Sequence, residues 1–338
     1  MKARIKMKNQ ITFPHIVAEK HPLADGSHLI NSEFQEPDDD DLKYADEILK
    51  TQGLLADTSD GAWKWIHDNK KKDYVETLKR GGGGREHLAC ILRNFFRMDA
   101  SFGISGFDYN QWAESALLLD IDTWQEFTEQ VDLSILAMPD IGNPRSFLID
   151  GILIDADQPR FNYHTMRIKG LSPLTVLEIG GGYGGLARQL KKQTNIKYVD
   201  VDLPETLYLT YYFLSKSGLD VKWALHDIPE ADVVLVPADR KHLIKGLFDV
   251  VFNSYSLSEM GKSSSDEYLH LINTEWQPRY FFHENSNFLL FPDSERHIEI
   301  LARDFPIDKK KYRKVYQAVS PWQGSGGRGR EFLYQRID

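Results

Sequence analysis

One stretch constrains this chain more than any other: Val176-Leu-Glu-Ile-Gly-Gly-Gly-Tyr-Gly-Gly-Leu-Ala187. An apolar run enters a glycine cluster, and a helix-like run leaves it. Glycine reaches backbone conformations closed to other residues and lets a ligand approach without meeting a Cβ. The helix beyond presents free N–H groups at its start. Strand, glycine turn and helix in this order open a βαβ unit, and a nucleotide-type cofactor is the expected occupant of that edge of a doubly wound sheet.

The surrounding texture agrees. From about residue 172, short β-rich runs (Leu174–Ile179, Lys197–Asp202, Val221–Leu225, Phe248–Asn253, Tyr280–His283) alternate with helix-like ones (Leu186–Gln193, Glu205–Ser217, Asp266–Asn273). Val233–Val236 adds a short strand, and Lys314–Ala318 with Phe332–Arg336 reads as a closing hairpin. Such alternation predicts a parallel sheet. The fold class expected is α/β: a Rossmann-like, doubly wound, mostly parallel sheet with a terminal antiparallel hairpin over residues 166–338. Residues 1–165 lack alternating strand patterns and read as a mainly helical N-terminal region. Leu42, Ala45, Ile48 and Leu49 repeat at helical spacing, as do Leu88, Ile91, Leu92, Phe95 and Phe96. Trp63 and Ile66 begin a shorter helix. Trp112, Ala116 and Leu119, then Trp124, Phe127 and Val131, suggest two more. Asp38–Asp41 reads as a solvated face at a helix start, where carboxylates suit the dipole. Gly81–Gly84 reads as a loop, with the helix start near Arg85 as an alternative anion seat.

Composition narrows the class. The chain has 338 residues, 41% apolar and 27% charged, with a net charge of −9. That is enough apolar material for a sizeable core, and the length suggests about two domains. The single cysteine, Cys90, excludes a disulfide framework and a Cys-based zinc site. No apolar run approaches the roughly 18 residues of a membrane span, and the basic start, Met1 to Asn9, leads into no apolar signal segment. The expectation is a soluble, cytoplasmic protein with no membrane partner. The acidic balance argues against a nucleic-acid partner, which needs net basic surface.

The glycines admit two cofactor classes. Gly180, Gly182 and Gly185 satisfy the dinucleotide fingerprint G-x-G-x-x-G, which leaves an NAD(P)-dependent oxidoreductase open. Glu178, Gly180, Gly182 and Gly184 satisfy E-x-G-x-G-x-G, which resembles motif I of class I S-adenosylmethionine-dependent methyltransferases. Asp202, ending the next strand, fits both. Glu178 and the terminal hairpin favour the methyltransferase pattern. A Tyr-x-x-x-Lys pair, Tyr212 and Lys216, falls on the helix after the second strand, where it reads as an ordinary helix-surface pair.

Further strings extend the resemblance. Val201-Asp202-Leu203-Pro204-Glu205 looks like the Asp-Leu-Pro turn of small-molecule O-methyltransferases. Tyr198–Pro204, Tyr211–Ser215, Phe161-Asn-Tyr-His-Thr-Met-Arg167 and Phe248–Met260 resemble the sugar O-methyltransferase family, over roughly residues 155–338. The resemblance implies S-adenosyl-L-methionine as cofactor, S-adenosyl-L-homocysteine as product, and a sugar or glycosylated small molecule as acceptor. It implies cofactor contacts at Glu178, Gly180, Gly181, Gly182, Gly184, Asp202, Leu203, Asn253 and Ser254, and at Asp227 and Ile228 closing the third strand. The N-terminal helices would supply the acceptor pocket, a homodimer surface, or both. A non-catalytic interaction protein built on the same fold is the third reading.

Methyl transfer to a weakly acidic hydroxyl calls for positioning and a general base at the carboxyl ends of the strands. Plant-type O-methyltransferases carry a His after the fourth strand; here Leu257-Ser258-Glu259-Met260 holds none, so Glu259 is the first catalytic candidate, with His283 and Glu284 next. His164, Arg167, Tyr255, Asn285 and Arg328 are the candidates for substrate contact. Arg328 belongs to Gly324-Ser-Gly-Gly-Arg-Gly-Arg330, a basic loop suited to clamp a phosphate or simply to turn the hairpin. Asp227, Glu259 and Glu284 show no metal-motif spacing, so no metal is assigned, although some sugar methyltransferases use a divalent ion.

Overall fold

Eight strands assemble in the order β10-β11-β9-β8-β4-β5-β7-β6. These are β4 Thr175–Ile179, β5 Lys197–Asp202, β6 Val221–Trp223, β7 Val233–Pro237, β8 Val250–Ser254, β9 Tyr280–Ser286, β10 Tyr312–Val319 and β11 Gly329–Arg336. The computed structural model describes residue 23 and residues 27–29, 33–51, 60–61, 64, 83–97, 111–144, 146–288, 300–322 and 328–337. Strands β4 to β9 pair in parallel; β11 runs antiparallel between β9 and β10. This is the class I Rossmann-like α/β topology, and the antiparallel insertion sets it apart from the all-parallel dinucleotide order.

The parallel strands are Val- and Ile-rich because both faces are covered. One face packs on α1 (Asp39–Thr51), α2 (Gly84–Asn94), α4 (Gln158–Gly170), α5 (Gly185–Gln193) and α6 (Pro204–Lys216), with Val176, Tyr198 and Phe252 in that core. The other buries Leu177, Val201, Val251 and Phe281 against α8 (Lys262–Leu271). Since successive side chains alternate between faces, Glu178, Asp200, Asp202 and Glu284 fall on the first face. His283 falls on the second.

Two expectations change. Val233–Pro237, not Val221–Leu225, is the neighbour of β5, and Val221–Trp223 becomes the sheet edge. The two helices expected from Trp112 to Val131 are one, α3 (Gln111–Thr128), with Val131 exposed beyond it. The mainly helical N-terminal region also carries a small sheet: β1 (Ser27–Leu29), β2 (Phe147–Ile149) and β3 (Ile152–Ile154) pair antiparallel. Asp150-Gly151 turns β2 into β3 with both residues at positive φ, 50° and 78°, as a two-residue hairpin requires. The helix expected at Trp63 and Ile66 lies outside the described residues.

The two halves interlock. Asp41 is fully buried and accepts hydrogen bonds from Tyr212 Oη (2.6 Å) and Lys216 Nζ (2.6 Å). Neither the acidic run nor the Tyr-x-x-x-Lys pair is therefore a plain surface feature; together they dock α1 on α6. The boundary expected at residue 165 falls inside α4, whose Tyr163 packs with α3 and β2 while Ile168 joins the sheet core.

Candidate active site

Beyond Ile179 the chain turns through Gly180, Gly182 and Gly184, with φ of 75°, 59° and 91°. A Cβ at Gly180 would lie 2.2 Å from Ser256 Oγ, and one at Gly181 would lie 2.5 Å from the Asp200 carboxylate. Gly185 admits the Phe161 ring, which a Cβ would meet at 2.3 Å, so α4 and α5 close together there.

The loop's N–H groups are already engaged. Gly181 donates to Asp200 Oδ1 (3.1 Å), Gly182 to Asp202 Oδ2 (3.0 Å) and Leu203 to Asp202 Oδ1 (2.7 Å). Pairing in register puts Glu178 beside Asp200, so three carboxylates gather at this corner. Burial raises Glu178 to about 7 against a hydrogen bond from Tyr198, with Asp202 adding repulsion and Arg160 opposing it. Burial likewise raises Asp202 to about 7 against its two backbone donors. Asp200 is pushed well up by burial and by its two acidic neighbours. A pyrophosphate would find its amide donors taken and carboxylates facing it. A cation would find acceptors short of positive charge.

A cleft partly open to solvent lies beside this corner. Leu203, Ala238, Met260 and Tyr268 give it apolar walls, and Asp60, Asp202, Lys241, Ser256 and Ser264 line it as well. The expected residues Glu178, Gly180, Gly181, Gly182, Asp202 and Leu203 meet at this corner. Asn253 holds its rim: Asn253 Nδ2 donates to the Ile179 carbonyl (2.7 Å), as does Ser256 Oγ (2.9 Å). Glu259, at the end of α7 (Ser256–Glu259), is half-buried and adjoins cleft-lining Met260.

Asp227 and Ile228 do not reach the cleft. They follow the edge strand β6, one strand too far out, and both are exposed; Ala238, after β7, occupies the position expected of them. Asp227, Glu259 and Glu284 do not converge, and the described residues contain no cluster of three His, Cys, Asp or Glu suited to a metal.

Glu284 belongs to a second, enclosed cluster. It receives Ser254 Oγ (3.2 Å), Tyr255 Oη (3.4 Å) and Ser320 Oγ, and His164 Nε2 lies 3.4 Å from it. Glu331 stands 3.8 Å from the same imidazole nitrogen and accepts from Tyr163 Oη (2.9 Å). His164, Glu284 and Glu331 are all buried. Glu284 and His164 therefore meet each other as sealed partners, not as groups open to substrate. Tyr255 covers them with its ring beneath Arg160 Cζ (5.7 Å) and a backbone φ of 64°. Such strain in a non-glycine residue is sustained only by its surroundings.

Three further candidates are structural. His283 is buried with Phe305 and Phe332 ring centroids 4.9 and 5.0 Å away, and burial lowers it to about 3; it points away from the glycine corner and cannot act there as a base. Arg167 sits 4.3 Å over the Tyr316 ring, between aromatic side chains. Asn285 bridges Asn253 Oδ1 (2.6 Å) and the Ser258 N–H (3.0 Å). Arg328 is exposed, its carbonyl accepting the Asn287 N–H (2.9 Å); residues 323–327 of its loop lie outside the described residues.

Four participants were not read from sequence. Arg160 precedes His164 by four residues, a helical spacing that puts both on one face. Asp200 alternates with Asp202 along β5. Glu331 and Asp60 carry no local signal, since each arrives through long-range packing.

No family model and no curated protein matches the chain. Among solved structures it is similar to the small RNA methyltransferase HEN1 (14% identity, TM-score 0.39), matching 54% of this chain and a quarter (25%) of that one. It is similar to the CcbJ methyltransferase of Streptomyces caelestis (14% identity, TM-score 0.38, 53% of this chain and 90% of that one). It is also similar to magnesium protoporphyrin IX methyltransferase of Synechocystis PCC 6803 with bound S-adenosylhomocysteine (11% identity, TM-score 0.37, 53% and 82%). Likeness at this level assigns neither substrate nor activity to this chain.

Proposed function

We propose that this protein is an S-adenosylmethionine-dependent O-methyltransferase acting on a hydroxyl of a sugar or glycosylated small molecule. The observation that carries the cofactor class is the engaged glycine loop. Its amides bind the chain's own carboxylates, so the corner is electronegative and suits a cationic methionine moiety better than a pyrophosphate. The antiparallel β11 supports the same class over a dinucleotide enzyme. The residues present fit the cofactor: Glu178 is a buried carboxylate lacking full compensation, Asp202 borders the cleft, and Leu203, Ala238, Met260 and Tyr268 offer apolar walls for a base.

Bound there, the cofactor supplies an electrophilic methyl group. The chain's residues do the rest. Glu178 would hold the ammonium, Asp202 would accept from ribose hydroxyls, and the glycines would admit both without a Cβ. Glu259, in the loop after β8, takes the proton from the acceptor hydroxyl. The sugar preference rests on the sequence resemblance. The test is incubation with S-adenosylmethionine and a panel of sugars and glycosides, read by mass gain of one methyl group. Methylation of a glycoside hydroxyl with loss of turnover in Glu259→Gln supports the reading. Methylation only of non-sugar acceptors would overturn the sugar assignment.

A further inference from the structure

The end of the sheet opposite the cleft carries a second charge pattern. Residues 309–314 read Lys-Lys-Lys-Tyr-Arg-Lys, five cations in six positions of a chain whose net charge is −9. They form the turn before β10 and its first residues, and all but Lys311 and Tyr312 are exposed. Among the described residues none of the five forms an ion pair: Lys311 Nζ donates to the Asn273 carbonyl (2.7 Å), Arg313 Nη2 to Gln335 Oε1 (2.7 Å) and Lys314 Nζ to Gln317 Oε1, all neutral acceptors. Asp308 directs its carboxylate to the Lys310 N–H (2.9 Å). Other lysines of the sheet region find carboxylates: Lys191 meets Asp232, Lys222 meets Asp220 and Lys262 meets Asp266. Like charges gathered without counter-charge repel one another, and an anionic surface relieves that repulsion.

Exposed aliphatic side chains share this rim. Leu174 precedes β4, Leu247 precedes β8 and Ile337 follows β11, at 77%, 63% and 49% exposure. Backbone contacts make the rim continuous. The Leu174 N–H donates to Asp249 Oδ2 (2.7 Å), the Arg279 N–H to the Phe248 carbonyl (2.9 Å), the Arg336 N–H to the Arg279 carbonyl (2.9 Å) and the Ile337 N–H to the Lys311 carbonyl (2.7 Å). Lys197 and Lys245, on the same rim, are paired with Glu230 and Glu275 and add no net attraction. A lone exposed aliphatic is ordinary. Three along one row of strand ends, beside uncompensated cations, mark a contact surface. The two chemistries together choose the partner. A nucleic-acid backbone would answer the cations and leave the aliphatics in water. An anionic bilayer answers both, because its headgroups pair with the cations and its acyl boundary takes the aliphatic tips.

We propose that this end of the sheet is a peripheral docking surface for an anionic lipid bilayer, with residues 309–314 supplying the attraction and Leu174, Leu247 and Ile337 a shallow insertion. Such a surface needs no membrane span, which is the feature that hydropathy excludes. The parallel strands start at this rim and end at the cleft, so the cleft faces away from the bilayer. The proposal is independent of what the cleft binds.

The test is cosedimentation of the full chain with vesicles of phosphatidylcholine, with and without phosphatidylserine, at low and high salt. Wild type should pellet only with the vesicles that contain phosphatidylserine, and added salt should weaken the binding. Lys309→Glu combined with Lys310→Glu reverses two exposed charges and should lower affinity by about fiftyfold or more. Leu247→Ser leaves the charge untouched and should lower it by about threefold or more. Failure of folded wild type to pellet with phosphatidylserine vesicles at low salt would overturn the proposal. Undiminished binding by the charge-reversed pair would place the contact elsewhere, as on the basic start Met1 to Asn9, and overturn it as well. Full binding by Leu247→Ser would leave a purely electrostatic patch, open to any polyanion such as an acidic peptide, and would overturn the choice of a bilayer.

Discussion

Two acidic clusters sit on one face of the same sheet and behave oppositely. At the ends of β4 and β5, Asp200 and Asp202 are held by backbone amides of a glycine turn and Glu178 by the Tyr198 hydroxyl, beside an open cleft. At the ends of β9 and β11, Glu284 and Glu331 are held by side chains of α4, β8 and the β10–β11 hairpin, and sealed. Backbone donors fix carboxylates while leaving their outer lone pairs free. Five side chains, Tyr163, His164, Ser254, Tyr255 and Ser320, enclose the other pair. The first cluster borders the cleft; the second fastens α4 and the hairpin to the sheet.

The sharpest way to break this contrast is Gly182→Val. With φ at 59°, a β-branched residue there is strained, and the loop that presents Asp202 must move. S-adenosylhomocysteine affinity should fall by about a hundredfold or more in a protein that still folds cooperatively. Near-normal affinity would place the ligand elsewhere.

Glu284→Gln probes the sealed cluster. Weakening a buried, multiply bonded charge should lower stability by about 2 kcal/mol or more in urea unfolding. Ligand affinity should change less than about threefold. Loss of binding at unchanged stability would erase the distinction between the clusters.

Acidity sharpens the contrast further. Glu178 and Asp202 titrate near about 7 when folded, whereas such groups titrate near about 4 when unfolded. Between those values the folded chain binds more protons, so unliganded stability falls as pH rises through the window. Affinity for S-adenosylhomocysteine should climb over the same window, because its ammonium pairs with the ionised Glu178. Thermal melts from about pH 5 to 8, with and without ligand, should diverge progressively. Parallel curves would show that these carboxylates do not meet the ligand.

The smallest effect concerns His283. It stacks among Phe305, Phe332 and Tyr334, and burial holds it neutral. His283→Phe should leave ligand affinity unchanged and stability within about 1 kcal/mol. A large loss of turnover would restore it as a participant in the chemistry.

These residues also show which parts of the molecule a sequence can disclose. The glycine corner was legible because a turn between adjacent elements is set locally: Gly180, Gly182 and Asp202 stand within one βαβ unit. The strand order beyond β5 was not, because Val221–Trp223 and Val233–Pro237 are both short, apolar β-rich runs, and the choice between edge and interior is made by packing. That choice removed Asp227 from the cleft. His283 and Glu284 are neighbours with opposite fates, since a strand's period of two sends one to each face and the sequence does not say which face carries the site. Asp41 with Tyr212 and Lys216, and Asp60 with Gly261, are separated by 171, 175 and 201 residues, and no local pattern announces such pairs.

The most direct test of the central claim is calorimetric titration of the purified chain with S-adenosylhomocysteine, alongside reduced nicotinamide dinucleotide. The account predicts micromolar binding of S-adenosylhomocysteine at one site per chain and none of the dinucleotide. Tight dinucleotide binding, or no S-adenosylhomocysteine binding by a folded protein, would contradict it.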